Sequence, residues 1–181
     1  MKHEREDWIK AAKRLLLTDG IDAVRVDRIA KKLGVTRGGF YGYFKSRNAL
    51  LDELVALWRA ENTDPILDAI AANAPDGEAQ YVAVTDVWVS EKDFSPAFDA
   101  AMRDWARVDA KIEKHVREVD EIRIEALRSA FKNLGYRGND AKIRARVMYY
   151  HQVGYYTLGV KETLNERNRL QPFYKRALIG R

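Results

Sequence analysis

Cysteine is absent from these 181 residues, which excludes disulfides, thiolate metal sites and a cysteine nucleophile together. A chain without cysteine carries no mark of an oxidising compartment, so a cytoplasmic location is the expectation. Histidine is almost as scarce. His3, His115 and His151 lie far apart, and none falls in a metal-ligand spacing such as H-E-x-x-H, so no metal site is expected. No apolar run approaches the roughly 20 residues that span a bilayer, which argues against a membrane partner. The opening stretch, Met1 to Asp7, is densely charged and lacks the apolar core of a secretion signal. No serine sits in a G-x-S-x-G elbow. Gly34, Gly38, Gly39 and Gly42 lack the Gly-Lys-Ser/Thr ending of a phosphate-cradling loop, and they follow a helix rather than a strand. Neither an enzyme nor a cofactor is expected. Sustained strand-like alternation, internal repeats and low-complexity tracts are also missing.

What is present is the balance of a globular protein, 46% hydrophobic and 33% charged. Its charge is unevenly spread. Residues 1–50 hold 12 Lys and Arg against 6 Asp and Glu, whereas the remainder holds 20 against 21. A basic head on a neutral body suits a head that meets a polyanion and a body that meets something else. A merely solvated surface would carry the same count.

The helical period runs through almost every segment. Trp8, Ala12, Leu15 and Leu16 share one face of a helix over Arg5 to Asp19, ended by Gly20. Val26, Ile29, Ala30 and Leu33 repeat the pattern up to Gly34. The hydroxyls of Thr36 and Ser46 are placed to cap a third and a fourth helix, the fourth with Leu50, Leu51, Leu54, Val55 and Trp58 as its stripe. Asn62-Thr63-Asp64-Pro65 is the first clear break, and the domain boundary is placed there, dividing 1–61 from 62–181. Further helices are expected over about 66–73, 78–91, 96–108, 110–133 and 140–160, with one or two short helical pieces around Leu170-Gln171-Pro172.

The segment from Val26 to Phe44 carries the sharpest signal. An amphipathic helix burying Ile29, Ala30 and Leu33 is followed by Gly34, where a positive φ costs little. Val35 is read as a core plug, and a second helix opens on Thr36, Arg37, Gly38 and Gly39. In a helix-turn-helix such residues point at base edges in the major groove. Ile29, Ala30, Gly34, Val35, Thr36, Gly38, Phe40, Tyr41, Tyr43, Phe44, Ser46, Arg47 and Leu50 fall at the spacings of the TetR family's DNA-binding domain, which residues 5–60 resemble. Beyond residue 60 only the helical layout agrees.

The resemblance implies an all-α protein. A three-helix DNA-binding domain would be joined through a fourth helix to a helical domain for ligand binding and dimerisation. It also implies roles for single residues. Thr36, Tyr41, Tyr43 and Lys45 would hold phosphates, and Arg37 would read a base through its forked guanidinium. Gly38 and Gly39 weaken a helix by about 1 kcal/mol each; either they admit close approach to DNA or they are simply tolerated. Two positions depart from the family pattern. Val24 and Arg25 stand where a Thr/Ser pair often caps the second helix, although Arg25 can still meet phosphate as a charge. Gly42 replaces a larger residue at the end of the recognition helix.

In the body, Arg144, Met148, His151, Tyr155 and Leu158 share a helix face, with Val147, Tyr150, Gly154 and Gly159 nearby. This helix and the segment from Phe173 to Ile179 are assigned by analogy to a four-helix dimer bundle, although such a stripe also suits internal core. Tyr81, Trp88, Phe98, Met102, Trp105 and His151 are candidate wall residues of a pocket for a small apolar or aromatic effector, with Asp86 and Asp104 as polar groups. Ordinary core is the other reading of each. The helix 110–133, with Glu113, Lys114, Arg117, Glu118, Glu121, Arg123 and Glu125, reads as a solvated face. The expected function is a homodimeric repressor of transcription, bound to a palindromic double-stranded DNA operator and responsive to a ligand. The alternative is a helical small-molecule-binding protein whose helix-turn-helix no longer reads DNA.

Overall fold

A computed structural model describes residues 4–180, and no strand occurs among them. His3 and the first residues of the charged amino-terminal stretch lie outside the described residues. The chain divides into two compact units. The first holds the described residues up to Ala60 together with Ala97–Val116. The second holds Glu61–Pro96 and the chain from Arg117 onward. No helix among the described residues is long and apolar enough to cross a membrane.

The first unit begins with α1 (Arg5–Asp19), which buries Trp8, Ala12, Leu15 and Leu16 as its spacing requires. After a 3₁₀ turn, Ile21–Ala23, come α2 (Val26–Leu33) and the short α3 (Arg37–Phe40). Gly34 closes α2 in the left-handed conformation, φ 68° and ψ 28°. That fold-back lets the Val35 N–H donate to the Ala30 carbonyl at 3.0 Å. Leu33 and Val35 are half-buried rather than core, because the turn they flank lies at the surface. In α4 (Arg47–Asn62), Leu50, Leu51, Leu54, Val55 and Trp58 are all buried, and the Ala49 N–H donates to Ser46 Oγ at 3.2 Å. Residues 97–116, from α7 (Pro96–Ala106) and the start of α8 (Ala110–Asn133), complete this unit. Here the Trp58 indole donates to Asp99 Oδ1 at 3.1 Å, and Arg103 Nε donates to Asp99 Oδ2 at 2.9 Å. The buried carboxylate thus has both a donor and a counter-charge.

The second unit is built from α5 (Asp64–Ala72), α6 (Gly77–Ser90), the rest of α8, α9 (Gly138–Thr157) and α10 (Leu164–Ile179). Its core gathers Ile66, Ile70, Trp88, Phe94, Leu127, Phe131, Met148 and Ile179. Two findings differ from expectation. Arg123 is 1% exposed and is no part of a solvated face. Its Nε donates to Thr63 Oγ1 at 3.1 Å and its Nη1 to the Tyr149 hydroxyl at 3.2 Å, while Tyr149 donates to Asp120 Oδ1 at 2.5 Å. These partners offset part of the desolvation of the guanidinium. The second difference is α10, one continuous helix through Pro172. Proline there removes a single backbone bond, toward Asn168. Against that loss stand a capping box between Thr163 and Glu166, the burial of Ile179, and Arg144 Nη1 donating to the Leu178 carbonyl at 2.5 Å.

Gly77 opens α6 against the carboxy-terminal end of α8. A Cβ there would meet Leu134 N at 2.4 Å, Asn133 C at 2.6 Å and Ala130 O at 2.8 Å, all backbone atoms that cannot swing aside. Gly77→Ala should lower stability by about 3 kcal/mol, read as a fall in the urea midpoint with an unchanged slope. An unshifted midpoint would show that the two helices part without cost.

Candidate nucleic-acid interface and interior cavity

The short α3 is held from below by aromatic rings. Phe40 is fully buried, with its ring 5.4 Å from Trp8 at 67° and 5.2 Å from Phe44 at 18°. Arg5 lies over the Phe44 ring at 4.9 Å and reaches Glu53 on α4 at 2.5 Å. This cushion leaves the outer side of the segment to solvent. Thr36, Arg37, Gly38, Gly39, Tyr41, Tyr43 and Lys45 are all exposed, Tyr41 at 53%. Arg37 Nη2 donates to the Tyr41 hydroxyl at 3.2 Å, which steadies one edge of the guanidinium and leaves its other donors outward.

Thr36 occupies the N-cap position of α3, but its side chain accepts no capping bond. The cap expected of it is not formed, and its hydroxyl remains available to another partner. Arg25 likewise sits at the N-cap of α2 without a side-chain cap, and pairs in the open with Asp27 at 3.4 Å. Helix α3 stops at Phe40, and residues 41–43, Gly42 included, form a turn. A Cβ on Gly38, Gly39 or Gly42 would meet its nearest neighbour at 3.8, 3.8 and 3.5 Å, ordinary contact distances. Nothing inside the protein therefore requires glycine at these surface positions.

Arg47 has a positioning role that its place in a spaced motif does not reveal. Its Nε donates to the Val24 carbonyl at 2.6 Å and its Nη2 to the Ile21 carbonyl at 3.2 Å. It so pins the turn that launches α2. The sequence could flag Arg47 only as one more basic residue, because its acceptors are backbone carbonyls more than twenty residues away.

In the second unit α6, α9 and α10 wall a cavity of about 60 Å³. That is room for a few waters; drug-sized ligands occupy pockets from about 300 Å³ upward. Tyr81 and Trp88 line it from α6, Met148, His151 and Tyr155 from α9, and Tyr174 from α10. The His151 and Tyr174 rings lie 4.7 Å apart. Burial pushes the Tyr81 hydroxyl up to about 12, and loss of water on the cavity side holds the His151 imidazole below its usual value. Arg167 and Glu162 add charge to the lining. Of the candidate wall residues, Tyr81, Trp88 and His151 thus come together. Phe98, Met102 and Trp105 do not join them, being buried in the core of the first unit. Asp86 lies on an open groove beside the cavity, and Asp104 is exposed on α7.

Helix α9 has two faces of different fate. Arg144, Met148, His151 and Tyr155 turn toward α10 and the cavity. On another face, Ile143, Val147 and Tyr150 are 52%, 49% and 57% exposed, and Phe173 on α10 is 58% exposed. No group of three or more His, Asp or Glu suited to a metal ion occurs among the described residues.

Comparison with known proteins agrees with this geometry. Residues 9–54 match the model of bacterial regulatory proteins of the tetR family. An uncharacterized HTH-type transcriptional regulator, YvdT of Bacillus subtilis strain 168, is 28% identical over 86 residues. That match covers 48% of this chain and only 42% of the relative's length. The fold is shared over nearly the full chain with the fatty acid degradation regulator FadR of Bacillus halodurans, at TM-score 0.68 and 17% identity, covering 99% of this chain and 97% of that one. A TetR/AcrR-family transcriptional regulator of Thermobifida fusca gives TM-score 0.62 and 18% identity, covering 97% and 96%.

The three surface glycines yield a stability prediction. Gly38→Ala and Gly39→Ala should raise the urea midpoint, by about 0.5–1 kcal/mol each, because the helix gains a better former without a clash. A loss of stability would mean that these glycines serve the fold after all.

Proposed function

We propose that this chain, a TetR-family protein in its amino-terminal domain, is a ligand-responsive repressor that binds a palindromic DNA operator as a homodimer. One observation carries the reading. A row of exposed DNA-competent side chains, with glycines that no internal packing requires, sits on a helix fixed rigidly from beneath by Trp8, Phe40 and Phe44. Residues 1–61 serve as the DNA-binding domain and residues 62–181 as the domain for ligand binding and dimerisation.

Each interface residue has a task set by its chemistry. Arg37, steadied by Tyr41, presents its fork to the O6 and N7 of a guanine. Thr36, Tyr41 and Tyr43 donate hydroxyls to phosphate oxygens, and Arg25 and Lys45 supply charge. Gly38 and Gly39 let the backbone approach the DNA closely, so the alanine variants that stabilise the fold lose operator affinity. Two such heads, supplied by two subunits, read two half-sites of an inverted repeat. The exposed Ile143, Val147 and Tyr150 of α9 and Phe173 of α10 form the dimer surface, since a lone chain gains nothing by leaving them in water. The cavity walled by Tyr81, Trp88 and His151 takes a small apolar or aromatic effector, with its walls parting to admit anything larger than a few waters. The effector acts only through its preference for one conformation over another.

Selection from a randomised DNA pool, repeated across salt, tests the reading; an enriched inverted repeat with a steep salt slope is expected, and a pool without enrichment would refute it. On that operator Arg37→Ala should cost about 1–3 kcal/mol and relax preference at one base pair. Lys45→Ala should weaken all sequences alike and reduce the salt slope by about one. For the dimer, light scattering of the wild type should give twice the 20.8 kDa chain mass. Val147→Glu should bring it down to one chain while leaving the helical signal intact. A dimer that survives that change does not use this face of α9.

A further inference from the structure

Glu162 is the unexplained group of the cavity. It lines a space that five ringed side chains share, its carboxylate accepts the Tyr155 hydroxyl at 3.1 Å, and it has no ion-pair partner among the described residues. The other full charge in the lining, Arg167, is already committed. Its Nη1 meets Glu91 at 2.6 Å, and its Nη2 donates to the Trp88 carbonyl at 3.0 Å and the Tyr156 hydroxyl at 3.4 Å. His151 feels the charge of Glu162, but burial outweighs it and holds the imidazole below its usual value. The cavity therefore presents one uncompensated negative charge. Tyr81, Trp88, Tyr155 and Tyr174 line the same space, the Tyr155 ring already carrying Arg167 at 4.9 Å, and aromatic rings attract cations.

The approach to the cavity has the same sign. An open groove of about 640 Å³ is lined by Asp76, Glu78 and Asp86, of which Glu78 is paired with Lys175 on α10. Gln171 on α10 lines both the groove and the cavity, so its side chain stands at their boundary. It precedes Pro172, where α10 lacks one backbone bond. Carboxylates along such a groove would raise the local concentration of a cation.

We propose that this cavity binds a hydrophobic aromatic cation, anchored by the Glu162 carboxylate and packed between the rings of Trp88 and the tyrosines. The proposal rests on the reading of residues 62–181 as an effector-binding domain and narrows the effector to one charge class. An anionic effector would meet Glu162 with Arg167 already occupied. A neutral hydrocarbon would leave the carboxylate facing apolar surface without compensation.

The test uses two probes of the same shape, phenyltrimethylammonium and tert-butylbenzene, titrated into the full chain and followed by amide and indole NMR shifts. The cation should bind about tenfold more tightly than the hydrocarbon, with the largest shifts around Trp88 and Gln152. In Glu162→Gln, which keeps an acceptor for Tyr155, that preference should fall severalfold, to what the rings alone supply, while hydrocarbon affinity stays the same. Equal binding of both probes to the wild type would overturn the cation assignment, as would a preference undiminished in Glu162→Gln. Hydrocarbon shifts at Trp88 would in that case leave the effector-cavity reading standing. Absence of shifts from either probe would overturn both.

Discussion

A helix of four residues cannot hold itself together, since the first turn fixes several residues for a single hydrogen bond. Helix α3 spans only Arg37 to Phe40 and contains two glycines, so its position is set almost wholly by the burial of Phe40 against Trp8 and Phe44. Everything read from the outward side of α3 depends on that contact. Arg47 does for α2 what these rings do for α3, tying the turn before it to α4 by two carbonyls. The outer segment holds glycines and a turn, yet is fixed in place by the rings beneath it. That combination suits a surface that must come close to a rigid partner without yielding its register.

The second unit relies on arginine in a different way. Arg123 meets two hydroxyls, Arg144 a backbone carbonyl and the Tyr136 ring, and Arg167 a carbonyl, a hydroxyl and the Tyr155 ring. A planar fork with five donors can satisfy several acceptors at once, which a lysine cannot. Arg123 joins α8 to α9 and to Thr63 at the start of α5; Arg144 and Arg167 tie α10 to α9 and α6. The cavity lies among these tied helices, and its small volume follows from how closely they are drawn together. The relatives in sequence and fold are regulators of transcription. The negative charge that lines the cavity beside Arg167 comes from this chain's own Glu162.

Much of the fold was legible in the linear sequence. A helix that buries one side shows its period, so the limits of α1, α2, α4 and α8 follow from where Trp8, Ile29, Leu50 and their partners fall, together with the glycines and prolines between them. The helix-turn-helix was legible for the same reason, because its residues are close in sequence and its turn demands a particular glycine. Pro172 misled, since a local rule for proline cannot count the distant contacts that hold α10 in one piece.

The sequence by itself determined the all-helical character, the basic head, the turn at Gly34 and the exposed row from Thr36 to Lys45. Periodicity says which face of a helix is apolar; it does not say what covers that face, because the covering residues come from elsewhere in the chain. Only the tertiary structure decided that residues 97–116 rejoin the first unit and take Phe98, Met102 and Trp105 into its core. It alone separated the inward side of α9 at Met148 and Tyr149 from the exposed side at Val147 and Tyr150. The burial of Arg123, the grip of Arg47 and the lone charge of Glu162 were likewise invisible in order of sequence. Each is defined by a partner, or the lack of one, at a distance that only packing can set.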